Sequence, residues 1–412
     1  MMKALVFHYS LPRLAVARVG GKLTPRAYVG WGAPIQLEEV DEPQLLGDDW
    51  TIVRTALTGI CGSDVKQVFL NGNFDNPLRA LISFPQILGH EVVGVIERVG
   101  PGVKSRKVGE RVALNPWLSC GPRGIEPACD ACQRGEYSLC SHFTDGDLPP
   151  GLHHGNCRAV TGGYAPLLPA HESQLIPIPQ GVSFDQAVLG DPFAVAMHAI
   201  LKAPPTDGAL TLVYGAGVLG LLTVAALSAL FPKARVAVIA RYPHQIELAH
   251  QLGAEHVIST RDPGEVVETI AELVGAQVHR PPRGLPWLLR GVDFIYDMVG
   301  SAESLEVGVR ITNPGAAIVV AGVAMPARFE WTPHYFKEIN LIGSNAFGIE
   351  EYGGIRLHGI EHYLRLVEKE KLDLTPLITH RFRLEQYREA FLGMHSKARH
   401  RAVKGVFDFQ AP

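Results

Sequence analysis

The spacing of apolar positions changes character near residue 206. Beyond it, short runs of β-formers alternate with helical runs. Strands are predicted at 210–214, 235–239, 256–258, 292–297, 316–321 and 339–343, with helices between them, such as Pro243–Leu252 ending at Gly253. Alternation at this spacing implies an α/β unit with a doubly wound parallel sheet. Before residue 206 the pattern differs. Residues 1–60 alternate short β-like runs with Pro/Gly turns, a strand begins near His90, and Val108 to Val112 gives a turn and another strand. Residues 118–157 show no period, and a loop of that length is either functional or tied down by something such as a metal. β character returns at Gly163. A helix opens at Gly190, with Asp191 placed as N-cap and Pro192 at the first helical position. A helical stretch over 356–370 then precedes a final strand at 402–409.

Length and composition narrow the reading. At 412 residues the chain exceeds what one core supports, so two domains are expected. Hydrophobic residues at 47% and charged residues at 19% describe an ordinary soluble protein. A net charge of −3 gives no reason to expect a nucleic-acid or anionic-membrane partner. No apolar run is long enough to span a bilayer. The stretch Met1 to Phe7 reads as a strand rather than a signal peptide, so a cytoplasmic location is expected.

Two groups of residues carry chemistry. In the first, the predicted strand Leu210 to Tyr214 runs into Gly215, Gly217 and Gly220, and a helical run starts at Val218-Leu219. This is the order of a dinucleotide-binding turn: a tight turn, a close approach of backbone to pyrophosphate, and close helix–strand packing. The helix N-terminus offers free N–H groups to the phosphates. Gly322, after the 316–321 strand, joins this set. An acid that would bind the ribose of NAD is expected about 20 residues after the motif. The count lands on Ala240, with Arg241 next. A guanidinium pairs with a 2′-phosphate, which favours NADP; the alternative is that Arg241 stacks on adenine or faces solvent and NAD is used.

The second group lies wholly upstream. Cys120, Cys129, Cys132 and Cys140 place four thiols on one irregular loop, which suits a closed tetrahedral structural zinc; the alternative is four buried or redox thiols. Cys61 and His90 both sit at turns beside strands. As a pair they suit a catalytic metal, with Glu91 as a further ligand or supporting carboxylate. Singly, they read as a small buried hydrophobe and a core histidine.

Six segments occur in order: Cys61-Gly-Ser63-Asp64, Gly89-His90-Glu91, Val108-Gly-Glu-Arg-Val112, the four-cysteine loop, Gly162-Gly-Tyr-Ala165 and Gly215 to Gly220. Together they resemble the zinc-dependent medium-chain dehydrogenase/reductase superfamily, above all its polyol, threonine and alcohol dehydrogenases. The resemblance implies a β-rich GroES-like catalytic domain over 1–195, a Rossmann domain over 196–345 and a return to the catalytic domain over 346–412. It implies one catalytic and one structural zinc per chain, and hydride transfer between an alcohol or its carbonyl and NAD(P), at a cleft between the domains. Cys61 matches the first catalytic ligand and His90 the second. Asp191 stands where the family often has Glu as third ligand. Should Asp191 be only an N-cap, Glu91 or a second water completes the shell. Ser63 matches the proton-relay hydroxyl. Homodimers or homotetramers are implied.

This sequence also departs from the family. Residues 10–35 and 277–286 look like additions, and the spacer from Cys120 to Cys129 is long. Lys66, where some members have histidine, is expected to be solvated, as are His153 and His154 in their polar loop. Asp64 is assigned no chemistry, and Cys157 no partner. Trp117, Phe143 and Phe347 suit an apolar pocket, although core packing explains them equally well. Two rivals remain: a zinc-independent NADPH reductase of the same superfamily, and a nucleotide-binding protein without turnover.

Overall fold

A computed structural model describes residues 1–72, 76–324, 327–369 and 372–410. The chain divides into two compact units, one of Met1–Asp191 with Glu351–Pro412, the other of Pro192–Glu350.

The second unit is built on a six-stranded, all-parallel sheet. Its spatial order is His256–Ile258, Arg235–Ile239, Leu210–Tyr214, Val292–Asp297, Thr312–Val320 and Asn340–Gly343. In chain order that is 3-2-1-4-5-6, the doubly wound arrangement in which ligands bind where the winding reverses, beside the first strand. All five residues of Leu210–Tyr214 are buried. A parallel strand covered on both faces has to be apolar throughout, which is why its pattern is a run rather than an alternation.

The first unit is dominated by a seven-stranded, mostly antiparallel sheet. Its organiser is Trp50–Gly59, which pairs with Leu167–His171 along its first half, with Glu91–Val99 along its length, and with Lys404–Asp408 at its end. A smaller sheet of Ile35–Val40, Met2–Phe7 and Gln86–Ile87 belongs to the same unit. Its core joins Leu5, Phe7, Ile35 and Phe69 to Phe391 and Phe407, so the last strand and the Tyr387–His395 helix pack against the N-terminal strands.

Several local expectations need correction. Residues 10–35 are not only turns: Leu11–Gly21 is a helix, seated by Leu14 and Ala17 one turn apart. The 356–370 stretch begins as a strand, Ile355–His358, and turns helical only over Gly359–Glu368; residue 370 lies outside the described residues. The helix at 190 starts at Gly190 and continues to Lys202, which puts Asp191 inside the first turn rather than at the N-cap. No helix among the described residues is long and apolar enough to cross a membrane.

Candidate functional site

Register brings the upstream candidates together. Gly59 is paired with Glu91 on one side and Val406 on the other. The chain just past Gly59 therefore carries Cys61 to the turn that holds His90. Gly89 makes that turn at φ +93°, a left-handed conformation that favours glycine. One donor atom each from Cys61, His90 and Glu91 lies within 4.8 Å of the others.

Glu91 is already committed elsewhere. Its carboxylate forms an ion pair with the Lys404 ammonium, the two side chains 2% and 0% exposed. The pair crosses the strand above Gly59. A Cβ at residue 59 would land on the Glu91 carboxylate and within 2.9 Å of Lys404 Cε, so the pairing needs glycine there. Asp191 stands differently. It does not join the close trio, yet it is buried, and its Oδ2 has no hydrogen-bond partner. Burial and the nearby Glu91 push its carboxyl up to about 7, against the pull of His90 and Lys404. A buried carboxylate oxygen without a partner calls for an explanation, and a cation held by Cys61 and His90 supplies one.

Asp64, passed over in the sequence, positions two of the trio. It accepts from the Cys61 N–H at 3.0 Å and from the Tyr164 hydroxyl at 2.7 Å, and its other oxygen lies 3.7 Å from His90 Nδ1. Burial raises the Asp64 carboxyl, partly offset by His90 and these two donors. His90 is lowered by burial, but Asp64, Cys61 and Asp191 more than reverse this and hold it well above its ordinary value. The orienting role of a carboxylate behind a ligating imidazole is general. Asp64 sits three residues after Cys61, and the two form a reciprocal cap on the Gly62–Val68 helix; that spacing was the available signal. Ser63 and Lys66 lie exposed on this helix, Lys66 as expected.

The four-cysteine loop closes on itself. Its sulfurs lie within 4.8 Å of one another, with Cys120 to Cys140 at 3.6 Å and Cys129 to Cys140 at 3.9 Å. Four thiolates on a tetrahedral zinc stand about 3.8 Å apart, whereas a disulfide needs about 2 Å, so the spacing fits the metal. Backbone N–H groups of Cys129 and His142 donate to the sulfurs of Cys120 and Cys140, each at 3.4 Å. The hydrogen bond with Cys140 is the largest influence on Cys132, which is held down at about 5.

The long spacer has its own purpose. Arg123 is fully buried and donates to five carbonyls: Leu118, Asp145, Leu148, Pro149 and Gly151. This ties residues 145–151 to the cysteine loop. The next residues correct an expectation: His154 is buried and His153 half-buried, not solvated. The His153 ring lies 4.7 Å from that of His90 and 5.7 Å from that of Trp117, which in turn lies 6.0 Å from Phe143. Burial, and the neighbouring His90, push His153 down to about 3. Cys157 is buried against Pro149 and joins neither cysteine group.

In the second unit the three glycines differ in what they permit. Gly215 takes φ +95°; a Cβ on Gly220 would collide with the Gly215 carbonyl; a Cβ on Gly217 would meet open space. Gly217 thus leaves an open cradle at the N-terminus of the Val218–Leu230 helix, which fits a pyrophosphate. Gly322 packs against Met298 and Val299 at the same end of the sheet. Arg241 follows buried Ala240 and makes a 2.7 Å ion pair with Glu303, a carboxylate from another helix.

Two family models match this chain: an alcohol dehydrogenase GroES-like domain over residues 47–180, and a zinc-binding dehydrogenase over 218–357. An L-threonine 3-dehydrogenase from Rhizobium etli is 30% identical over 365 residues, covering 87% of this chain and 92% of the relative. A sorbitol dehydrogenase from Bacillus subtilis is 27% identical over 356 residues, covering 86% and 89%. Among solved structures, an alcohol dehydrogenase from E. coli CFT073 complexed with NADH superposes with a TM-score of 0.74 at 24% identity, covering 99% of each chain.

Proposed function

The chain belongs to the zinc-dependent medium-chain dehydrogenase/reductase superfamily, and from that premise we propose that it is a zinc-dependent alcohol dehydrogenase using NADP. The observation that carries the zinc assignment is the unpartnered, buried Oδ2 of Asp191 beside Cys61 and His90. Cys61, His90 and Asp191 would hold the catalytic ion, and Cys120, Cys129, Cys132 and Cys140 the structural one. Glu91, neutralised by Lys404, adds a carboxylate behind the site rather than a ligand. When bound, the zinc supplies a Lewis acid to the substrate oxygen and the nicotinamide supplies the hydride acceptor. Asp64 keeps His90 and the backbone of Cys61 in place. The exposed Ser63 hydroxyl both donates and accepts, so it passes the released proton outward. Gly215, Gly217 and Gly220, with Val218 and Leu219, seat the pyrophosphate, and Arg241 reads the 2′ position.

One observation favours the other cofactor. Glu303 already pairs with Arg241, and its carboxylate is the kind of acceptor that the ribose hydroxyl of NAD requires. Metal analysis and a panel of alcohols with each cofactor test both readings. Two zinc ions per chain, falling to one in Cys61→Ser with loss of turnover and an unchanged unfolding transition, is the expected result. Full activity in Cys61→Ser overturns the zinc assignment. A single zinc that is lost with the Cys120–Cys140 loop points instead to the zinc-independent reductase. A kcat/KM for NAD well above that for NADP sinks the role given to Arg241.

A further inference from the structure

We propose that His153 and Trp117 form a specificity-determining pair that reads a second polar group of the substrate, close to the reacting hydroxyl. The inference rests on the dehydrogenase reading above and adds to it which residues choose among alcohols.

His153 is held rigidly. Its backbone bridges to Trp117, the Leu118 N–H donates to Leu152 O at 3.0 Å, and the His154 N–H donates to Pro116 O at 2.9 Å. The Asn156 side-chain oxygen accepts from the N–H groups of both Leu152 and His153, at 2.8 and 3.0 Å. Upstream, Arg123 ties down the carbonyls of Pro149 and Gly151. The ring itself is oriented as well: Nδ1 lies 2.5 Å from the carbonyl oxygen of His154. A carbonyl only accepts, so Nδ1 carries the proton, and in the neutral ring Nε2 is left as an acceptor. Among the described residues, nothing donates to it.

Trp117 supplies the complement. Its indole N–H is buried and has no hydrogen-bond partner, and its ring meets that of His153 edge-on at 86°. Buried donors are nearly always paired, so one left open beside an open acceptor calls for a partner from outside the chain. The place is right for a substrate: the His153 ring is 4.7 Å from that of His90, a residue that would hold the catalytic ion. A substrate hydroxyl on a carbon next to the reacting one both donates and accepts, and so satisfies Nε2 and the indole N–H together. A site built to hydrogen-bond a hydroxyl rejects the analogue without it, because its own polar groups are then left unpaired.

The test compares kcat/KM for 1,2-propanediol with that for 1-propanol, alike in chain length, in the wild-type enzyme and in His153→Phe, His153→Gln and Trp117→Phe. The wild type should favour the diol. In His153→Phe that preference should fall about tenfold, through KM rather than kcat, with 1-propanol changed less than about twofold. His153→Gln, which restores an acceptor near the same point, should recover most of the loss. Trp117→Phe, which removes the indole N–H together with part of the ring, should lower the preference in the same direction, and it keeps the question open to test if a His153 variant fails to fold. Zinc content should stay at the wild-type value; a merely structural role would lower the melting temperature and leave the diol ratio alone. An unchanged ratio in both His153→Phe and Trp117→Phe overturns the pair while the dehydrogenase reading stands. Absence of any alcohol oxidation by the wild type, with either cofactor, overturns both.

Discussion

Arg123→Met removes five charge-assisted hydrogen bonds at once and keeps most of the buried stem. A hydrogen bond to a charged group contributes about 1.5–3 kcal/mol, so the gross loss is roughly 7–15 kcal/mol. Against this stands the cost of keeping a guanidinium out of water, several kcal/mol even in real proteins. Some of the freed carbonyls will also find water, because residues 144–147 are largely exposed. The net loss should be about 3–5 kcal/mol, because each carbonyl left buried without a donor costs about 1–3 kcal/mol. For a body of this size it corresponds to a fall in Tm of roughly 6–20 °C. Thermal unfolding of the zinc-loaded protein, followed by circular dichroism with the zinc content measured in parallel, gives the number. Limited proteolysis should show faster cleavage between residues 141 and 151. Arg123→Lys keeps the charge but not the planar fork, and should recover less than half of the loss. A fall in Tm under about 2 °C, with unchanged cleavage, would refute the idea that Arg123 holds this loop.

Two further predictions concern the second unit. Arg241→Ala should lower kcat/KM for NADP by about ten- to a hundredfold and leave NAD nearly unchanged, while Glu303→Gln, which frees the guanidinium from an exposed ion pair, should raise it about two- to fivefold; if neither variant moves the NADP/NAD ratio, the residues do not read the 2′ position. Lys337 is buried, donates to Thr312 O at 2.7 Å, and is pushed by burial from its ordinary 10.5 down to about 7. Its folded pKa lies below its unfolded value, so folding releases a proton between the two: stability from this group rises with pH across that window, by up to about 1.4 kcal/mol per unit, and the full penalty is present below pH 7. Lys337→Met should remove that slope, so the stability difference between wild type and variant should change by about 2 kcal/mol between pH 7.5 and 9; parallel curves in chemical denaturation would contradict it.

How much was legible beforehand follows from how local each signal is. The turn at Gly215–Gly220 is written in six consecutive residues, because phosphate-cradling geometry demands glycine at fixed offsets, and strand and helix flank it directly. The four cysteines are legible for the same reason: tetrahedral thiolate spacing can be met within one loop. The parallel sheet was legible strand by strand, since each buried strand is an apolar run of its own. The Asp191 N-cap assignment failed because Asp before Pro at a helix start is also the pattern of a residue one step inside the helix.

What only the tertiary structure decided depends on contacts between distant segments. Glu91 and Lys404 are 313 residues apart in the chain, and they meet because the strand carrying Gly59 pairs with both of theirs, with no side chain at Gly59 to keep them apart. Nothing near Glu91 announces that partner. Arg123 looks like a surface arginine until the 145–151 carbonyls fold around it, and His153 and His154 look solvated until that same clamp draws their loop inward. Backbone geometry and ligand spacing are properties of a few neighbouring residues, so the sequence alone determined the cofactor turn, the metal loop and the identity of Cys61 and His90 as candidates. Charge compensation, and which rings come to lie against His90, are properties of register and loop packing, and for these the fold had to be seen.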